Sequence, residues 1–302
     1  MKTNHRSYRG ESDNLLMADL ARRYPAEALR VLDLPYRLSS WALDDPENAH
    51  LWFDPGGSLL GWVVMQFPFW TIDITCCPDA VPALYSEMLV WADERVRQIM
   101  GTPWERPCWY VNVFSDQTDP LRELEIAGFA NQADVGEDSW SKVFMRRTAE
   151  LPVKDYRIPP GFTVRSLAGE AEVEAYVELH RSVFGTKNMT VEWRRRTLQH
   201  PDYHPDLDVI VAAPDGRLAA FCVGWLHGLN GQIEPLGCHV DFRRYALGRV
   251  ALAEVLRRLQ VAGAEYIYVE TDNYRNTALG LYQHMGFQVI RNVWVYRKDY
   301  EL

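Results

Sequence analysis

The residue types best suited to hold a polyanion lie in HVDFRRYALGRVALAEVL (His239–Leu256). There an apolar strand ends, a short arginine-bearing turn follows, and a long helix begins. The first backbone N–H groups of a helix have no internal acceptors and sit at the positive end of its dipole, so they suit a phosphate. Ala246 and Gly248 are small enough to let an anion approach the backbone. Between Arg243 and Arg258 five arginines stand against one glutamate, Glu254, although the whole chain carries a formal net charge of −9. The competing reading of this segment alone is an ordinary solvated helix start. Cys238 and His239 invite comparison with a Cys-His nucleophile pair. Neighbours on a strand point to opposite faces, which favours structural roles for both at the strand end.

Elements must position these residues. From Phe162 the pattern reads as strand (Phe162–Leu167), helix (Glu170–Phe184), helix (Thr190–Gln199) and two strands around Pro-Asp-Gly (Asp208–Trp225). A strand (Gly231–Val240), the long amphipathic helix (Leu247–Gly263), a strand (Glu265–Thr271), a short helix (Asn276–Phe287) and terminal strands to Lys298 follow. The first half repeats this order. DPGGSLLGW (Asp54–Trp62) parallels APDGRLAAF (Ala213–Phe221), and LRELEIAGF (Leu121–Phe129) parallels GLYQHMGF (Gly280–Phe287). Both pairs of markers are separated by nearly the same interval, which argues for an internal duplication. The proline-rich stretch Arg146–Gly161 reads as an extended linker, giving domains of 1–150 and 151–302.

With 302 residues, 47% hydrophobic and 24% charged, the chain is long enough for two cores and is not compositionally disordered. The acidic balance excludes a global field for nucleic acid. The longest apolar run, Leu59–Trp70, is too short to span a bilayer, and no apolar leader opens the sequence. Five cysteines without a C-x-x-C pair exclude a thiolate zinc site and a disulfide framework. These bounds describe a soluble, cytoplasmic protein with two cores; a monomer or homodimer with neither a nucleic-acid nor a membrane partner and no metal is expected, although nothing in the sequence selects the oligomeric state.

The turn Arg243-Arg244-Tyr245-Ala246-Leu247-Gly248 resembles the R/Q-x-x-G-x-G/A signature of the GNAT superfamily of acyl-CoA-dependent N-acetyltransferases. It matches at the first and last positions and carries alanine for the middle glycine. EPLGCHVDFRR (Glu234–Arg244) is similar to that family's fourth strand, and VETDNYRNTALGLYQHMGF (Val269–Phe287) to its fifth strand, following helix and terminal Gly-Phe. The resemblance covers Phe162–Lys298. It implies an α/β (α+β) fold of two GNAT-like domains, each a mixed, mostly antiparallel sheet flanked by helices. It also implies transfer of an acetyl group from acetyl-CoA to a small-molecule primary amine by direct attack. The alternative is a non-catalytic acyl-CoA-binding or regulatory module.

By the same resemblance, Tyr282 protonates the departing thiolate, and Glu234 is the leading general base. Pro235 beside it suggests a bulge or a splayed strand, which leaves the facing of Glu234 open. The coenzyme would meet Cys238, His239, Val240, Arg243, Arg244, Tyr245, Ala246, Leu247, Gly248, Arg249 and Tyr282. Asn276 would join them, with Asn273 competing for its role. If position 246 requires a positive φ, alanine costs about 1 kcal/mol there relative to glycine. Trp193, His204 and Asp206 fall where the family builds its acceptor pocket, and WRRRT (Trp193–Thr197) reads as a solvated helix face. The first half has no arginine or glycine loop, and Pro78 and Pro82 remove N–H donors. It is expected to be a degenerate copy that binds no coenzyme, with Trp62, Phe67, Phe69 and Trp70 in its core.

Overall fold

The computed structural model describes residues 2–133, 141–274 and 276–300, with the backbone but not the side chain of Asn276. The first half supplies β1 (Asn4–Ser7), α1 (Glu11–Arg23), α2 (Leu34–Leu38), β2 (Ala49–Phe53), β3 (Leu59–Gln66) and β4 (Thr71–Cys76). It continues with α3 (Val81–Ile99), β5 (Cys108–Phe114), α4 (Thr118–Ile126), β6 (Ala130–Asn131) and β7 (Ser141–Thr148). The second half adds β8 (Thr163–Ser166), α5 (Val173–Phe184), α6 (Val191–Gln199), β9 (Asp208–Ala212), β10 (Leu218–His227) and β11 (Asn230–Cys238). Then come α7 (Leu247–Val261), β12 (Tyr266–Asp272), α8 (Asn276–His284) and β13 (Gln288–Asp299).

The strands join in one mixed sheet ordered β1-β2-β3-β4-β5-β13-β7-β12-β11-β10-β9-β8, with β6 beside β13. Among the described residues only β4–β5 and β11–β12 pair in parallel, and these occupy equivalent places in the two halves. The ends of the halves are exchanged. β13 lies between β5 and β7, while β7 runs antiparallel to β12 from Lys142 to Thr148. Each half therefore completes the hydrogen-bonding edge of the other.

This exchange corrects the expected linker. Arg146–Thr148 belong to β7, and the irregular connection starts only after them. The Arg147 guanidinium is buried and donates to the carbonyls of Met285 (2.8 Å) and Leu151 (2.5 Å), so an arginine-rich stretch here is sheet rather than solvated chain. The expected terminal strands are one long strand, β13. Three apolar clusters replace the expected two cores. One lies under α3, one under α7, and a third under α5 and α6 takes Leu32 and Tyr36 from the first half.

Helix α7 follows its sequence pattern. Leu247, Val250, Val255, Leu256 and Leu259 are buried against the sheet, each large side chain contributing roughly 1.5–3 kcal/mol. Gly263 stops the helix at φ +90°, a conformation glycine adopts without a Cβ penalty.

Candidate active site

The turn before α7 has the left-handed conformation that the signature glycine would serve. Ala246 sits at φ 56°, ψ 26°, so the alanine penalty anticipated from the sequence applies. No side chain caps α7. Among the described residues the N–H groups of Ala246 and Leu247 have no backbone acceptor, while that of Arg249 donates to the Ala246 carbonyl at 3.0 Å. A Cβ placed on Gly248 would meet nothing closer than the Cβ of Cys238 at 3.9 Å. The protein itself does not require glycine there; the space is left beside open amides, a cradle that fits a diphosphate. Arg243, Arg244 and Arg249 are exposed around it, with no ion pair among the described residues.

Below this turn β11 and β12 diverge. They pair only from Asn230 to Gln232, and beyond that the sheet opens toward α7 and α8. The sequence signal was Pro235. Opposite β10 the register shifts between Cys222 and Gly224, so Glu234 and Pro235 together face Val223, and the Glu234–Pro235 peptide is cis. Ile233 and Leu236 both pack on the α7 side, one on each flank of the bulge. Glu234 therefore shares the opposite face with Gln232, which settles its facing.

The Glu234 carboxyl has no hydrogen-bond partner among the described residues. Burial, reinforced by the Asp33 carboxylate and opposed by Arg30, pushes it up to about 7. A carboxylate with that value can take a proton near neutrality. Tyr282, on α8, is buried with its ring 5.7 Å from that of Phe287, and its hydroxyl has no partner among the described residues. Burial, with smaller contributions from Cys222 and Glu234, raises its pKa, so the phenol keeps its proton.

The first half closes over Glu234 with charges that no local sequence pattern announced. Arg30, in the α1–α2 connection, bridges Asp33 (3.1 Å) and Glu270 of β12 (3.1 Å), and Lys142 of β7 reaches Glu270 at 2.8 Å. Burial acts to raise the Glu270 carboxyl, but Arg30 and Lys142 outweigh it and bring it down to about 2. Arg37 of α2 grips Asp73 of β4 through two bonds of 2.6 and 2.8 Å. Arg30, Lys142 and Glu270 meet only because β7 and the α1–α2 connection cross between the halves.

Residues 173–287 match the acetyltransferase (GNAT) family. That segment is a GNAT domain. A mycothiol acetyltransferase of Thermobispora bispora is 25% identical over 154 residues, covering 47% of this chain and 52% of that protein. The chain thus spans about half the length of the curated relatives it matches. A GCN5-related N-acetyltransferase from Sphaerobacter thermophilus superposes with TM-score 0.66 at 19% identity, covering 98% of this chain and 95% of its own. A tandem GNAT protein from the clavulanic acid biosynthesis pathway does so with TM-score 0.66 at 12% identity, covering 99% and 98%. Both span the two halves, so the fold is that of a two-copy GNAT protein.

Within the GNAT domain, the other expected residues separate into those at the turn and those elsewhere. Cys238 ends β11 and its thiol faces the Gly248 N–H; burial raises its pKa, against Gly248 and Arg243, which is unlike a nucleophile. His239 accepts from the Asp241 N–H at 3.2 Å, a capping role. Val240 opens a 3₁₀ turn to Tyr245 instead of closing the strand, and both side chains are exposed. The Leu247 side chain is buried in the core, leaving only its amide for a ligand. Asn273 donates to Ser141 on β7. Asn276 opens α8, and its side chain lies outside the described residues.

Three acceptor expectations are corrected. Trp193 is core, its indole donating to the Tyr36 carbonyl at 2.7 Å. His204 and Asp206 lie beside the far end of α7, where Arg258 donates to the Asp206 carbonyl, away from the β11–β12 opening. Arg194 is not solvated but buried against Asp208 and over the Tyr176 ring at 3.7 Å. In the first half Trp62 and Phe67 are buried as expected, whereas Trp70 is 38% exposed.

Proposed function

We propose that this chain moves an acetyl group from acetyl-CoA to a primary amine of a small molecule in the cytoplasm. The observation that carries the reading is the opening between β11 and β12, with unsatisfied amides at one side and an unpartnered carboxylate at the other. Bound there, the thioester supplies an acyl carbon activated toward nitrogen nucleophiles. The Ala246 and Leu247 amides, with Arg243 and Arg244, hold the diphosphate beside the open space at Gly248. Glu234 takes the proton from the attacking amine. Tyr282 gives a proton to the sulfur as the C–S bond breaks.

Thiol release from acetyl-CoA across a broad amine panel tests both activity and acceptor class. Tyr282→Phe is expected to lower kcat by about 10²-fold or more while calorimetric affinity for coenzyme A changes less than about twofold. Tight coenzyme binding with no turnover of any amine in the unaltered protein would favour the acyl-CoA-binding module instead.

A further inference from the structure

An open pocket of about 420 Å³ lies between the halves, against the face of the sheet that carries Glu234. Gln232 and Tyr268, register partners on β11 and β12, form part of its floor. Side chains alternate along strands, so Gln232 points with Glu234 and Tyr268 with Glu270. The bulge begins at Glu234 itself, and Ile233 before it packs on the α7 side, so Gln232 and Glu234 keep to the opposite face. Gln232 and Tyr268 therefore lie one two-residue repeat, about 7 Å, from Glu234 and Glu270 on the same face. The pocket's other wall is the Ala28–Leu32 stretch, whose Arg30 pairs with Glu270.

The lining has a definite chemistry. Phe144 stacks on Tyr268 with ring centres 5.4 Å apart and planes 15° from parallel, and Phe114 meets Phe144 edge-on at 5.6 Å. No carboxylate lines it, so a polycation finds no partner inside. Arg22 pairs with Asp202 through one terminal nitrogen and Arg291 with Asp116, while among the described residues the Arg22 Nε has no partner. Gln232, 3% exposed, makes no side-chain hydrogen bond among the described residues, and the exposed His227 and Asn230 line the pocket beside it, so polar substituents can be met at one end.

We infer that the acceptor is an arylalkyl primary amine, its ring seated against Tyr268 and Phe144 and its nitrogen carried to Glu234 on a tether of about two or three carbons. This rests on the acetyl-transfer reading. The nitrogen forms the amide bond, the thioester C–S bond breaks, Glu234 receives the amine proton, and the sulfur takes one from Tyr282.

The test compares 3-phenylpropylamine, glucosamine and spermidine as acceptors for the full chain with acetyl-CoA. The expected result is kcat/KM for 3-phenylpropylamine at least tenfold above both others. Tyr268→Ala and Ala28→Phe, the second filling the pocket, should each raise its KM at least fivefold with acetyl-CoA affinity within twofold. Equal or better turnover of glucosamine or spermidine overturns the acceptor class and leaves acetyl transfer standing. If no amine reacts, calorimetry decides: 3-phenylpropylamine heat that disappears in Ala28→Phe supports the pocket, and no heat with the unaltered protein overturns it. No heat with acetyl-CoA overturns the transfer reading and this inference together.

Discussion

The two parallel strand pairs, β4–β5 and β11–β12, are the same place in two copies of one topology, and they differ in what occupies it. Beyond Gln232 the pairing of β11 with β12 ends, and among the described residues the Ala246 and Leu247 amides at the start of α7 have no acceptor. Between β4 and β5 one register pair remains, Thr71 with Tyr110, and the adjoining pocket is only about 30 Å³. Gln117 and Glu27 line that pocket and bond to each other at 3.0 Å, and α3 begins with prolines and no arginine. Tyr282 corresponds, counting back from the Gly-Phe that follows each helix, to Leu124, a buried apolar residue.

The carboxylates make the contrast sharpest. Gly61 pairs with Cys76 as Ala220 pairs with Cys238, which places Asp73 level with the Glu234–Pro235 bulge. β4 has no bulge, and Asp73 is locked to Arg37 and Thr71. One carboxylate has become structural glue while the other is left unpaired with its pKa near neutrality. A duplicated fold keeps its backbone easily; a site survives only where donors and bases are kept from finding internal partners.

The largest test of this contrast is to remove each carboxylate. Glu234→Gln should lower kcat/KM about 10²–10³-fold at pH 8, as expected for loss of a general base, with coenzyme affinity unchanged. Asp73→Ala should instead cost about 3–5 kcal/mol in urea unfolding, because Arg37 is left buried and uncompensated, with kcat reduced less than about tenfold. Reversal of these two outcomes would assign the base to the wrong copy.

The pH profile sharpens the same point. Glu234 must be ionised to accept a proton, so kcat/KM should rise with pH and level off above about 7, and this limb should vanish in Glu234→Gln. Stability should follow the two buried glutamates in opposite directions. Glu270, held at about 2, contributes stability above its ordinary pKa that is lost as pH falls toward 2. Glu234, raised to about 7, binds its proton more tightly folded than unfolded, so its contribution weakens as pH rises from about 4.5 to 7. Urea midpoints between pH 3 and 8 measure both, and Glu234→Gln should flatten only the upper part. The smallest effect belongs to Ala246→Gly. Relief of about 1 kcal/mol of left-handed strain should stabilise the turn and tighten coenzyme binding by up to about fivefold, read by calorimetry.

The helices, strands and duplication were legible because they rest on periodicity and on turn residues such as Gly216, Gly263 and Gly286, which act within a few positions of chain. The turn from Arg243 to Gly248, proposed to hold the diphosphate, was legible as a turn for the same reason: it is one contiguous stretch. Arg147 and Arg194 were misread because the sequence shows a charge and not its burial, which depends on carbonyls and on Asp208 brought from elsewhere. Trp193 was misread likewise, as a ligand contact when it is core.

What the sequence by itself determined is therefore the local: the elements, the turn proposed to bind an anion, and the tyrosine and glutamate worth testing. Only the tertiary structure decided which way Glu234 faces, since one extra residue in a strand reverses every side chain beyond it. It alone decided the exchange of β7 and β13, and the meeting of Arg30, Asp33 and Lys142 around Glu270, because these pairings join residues more than a hundred positions apart. Contacts of that range are fixed by how the sheet closes, and no local spacing encodes them.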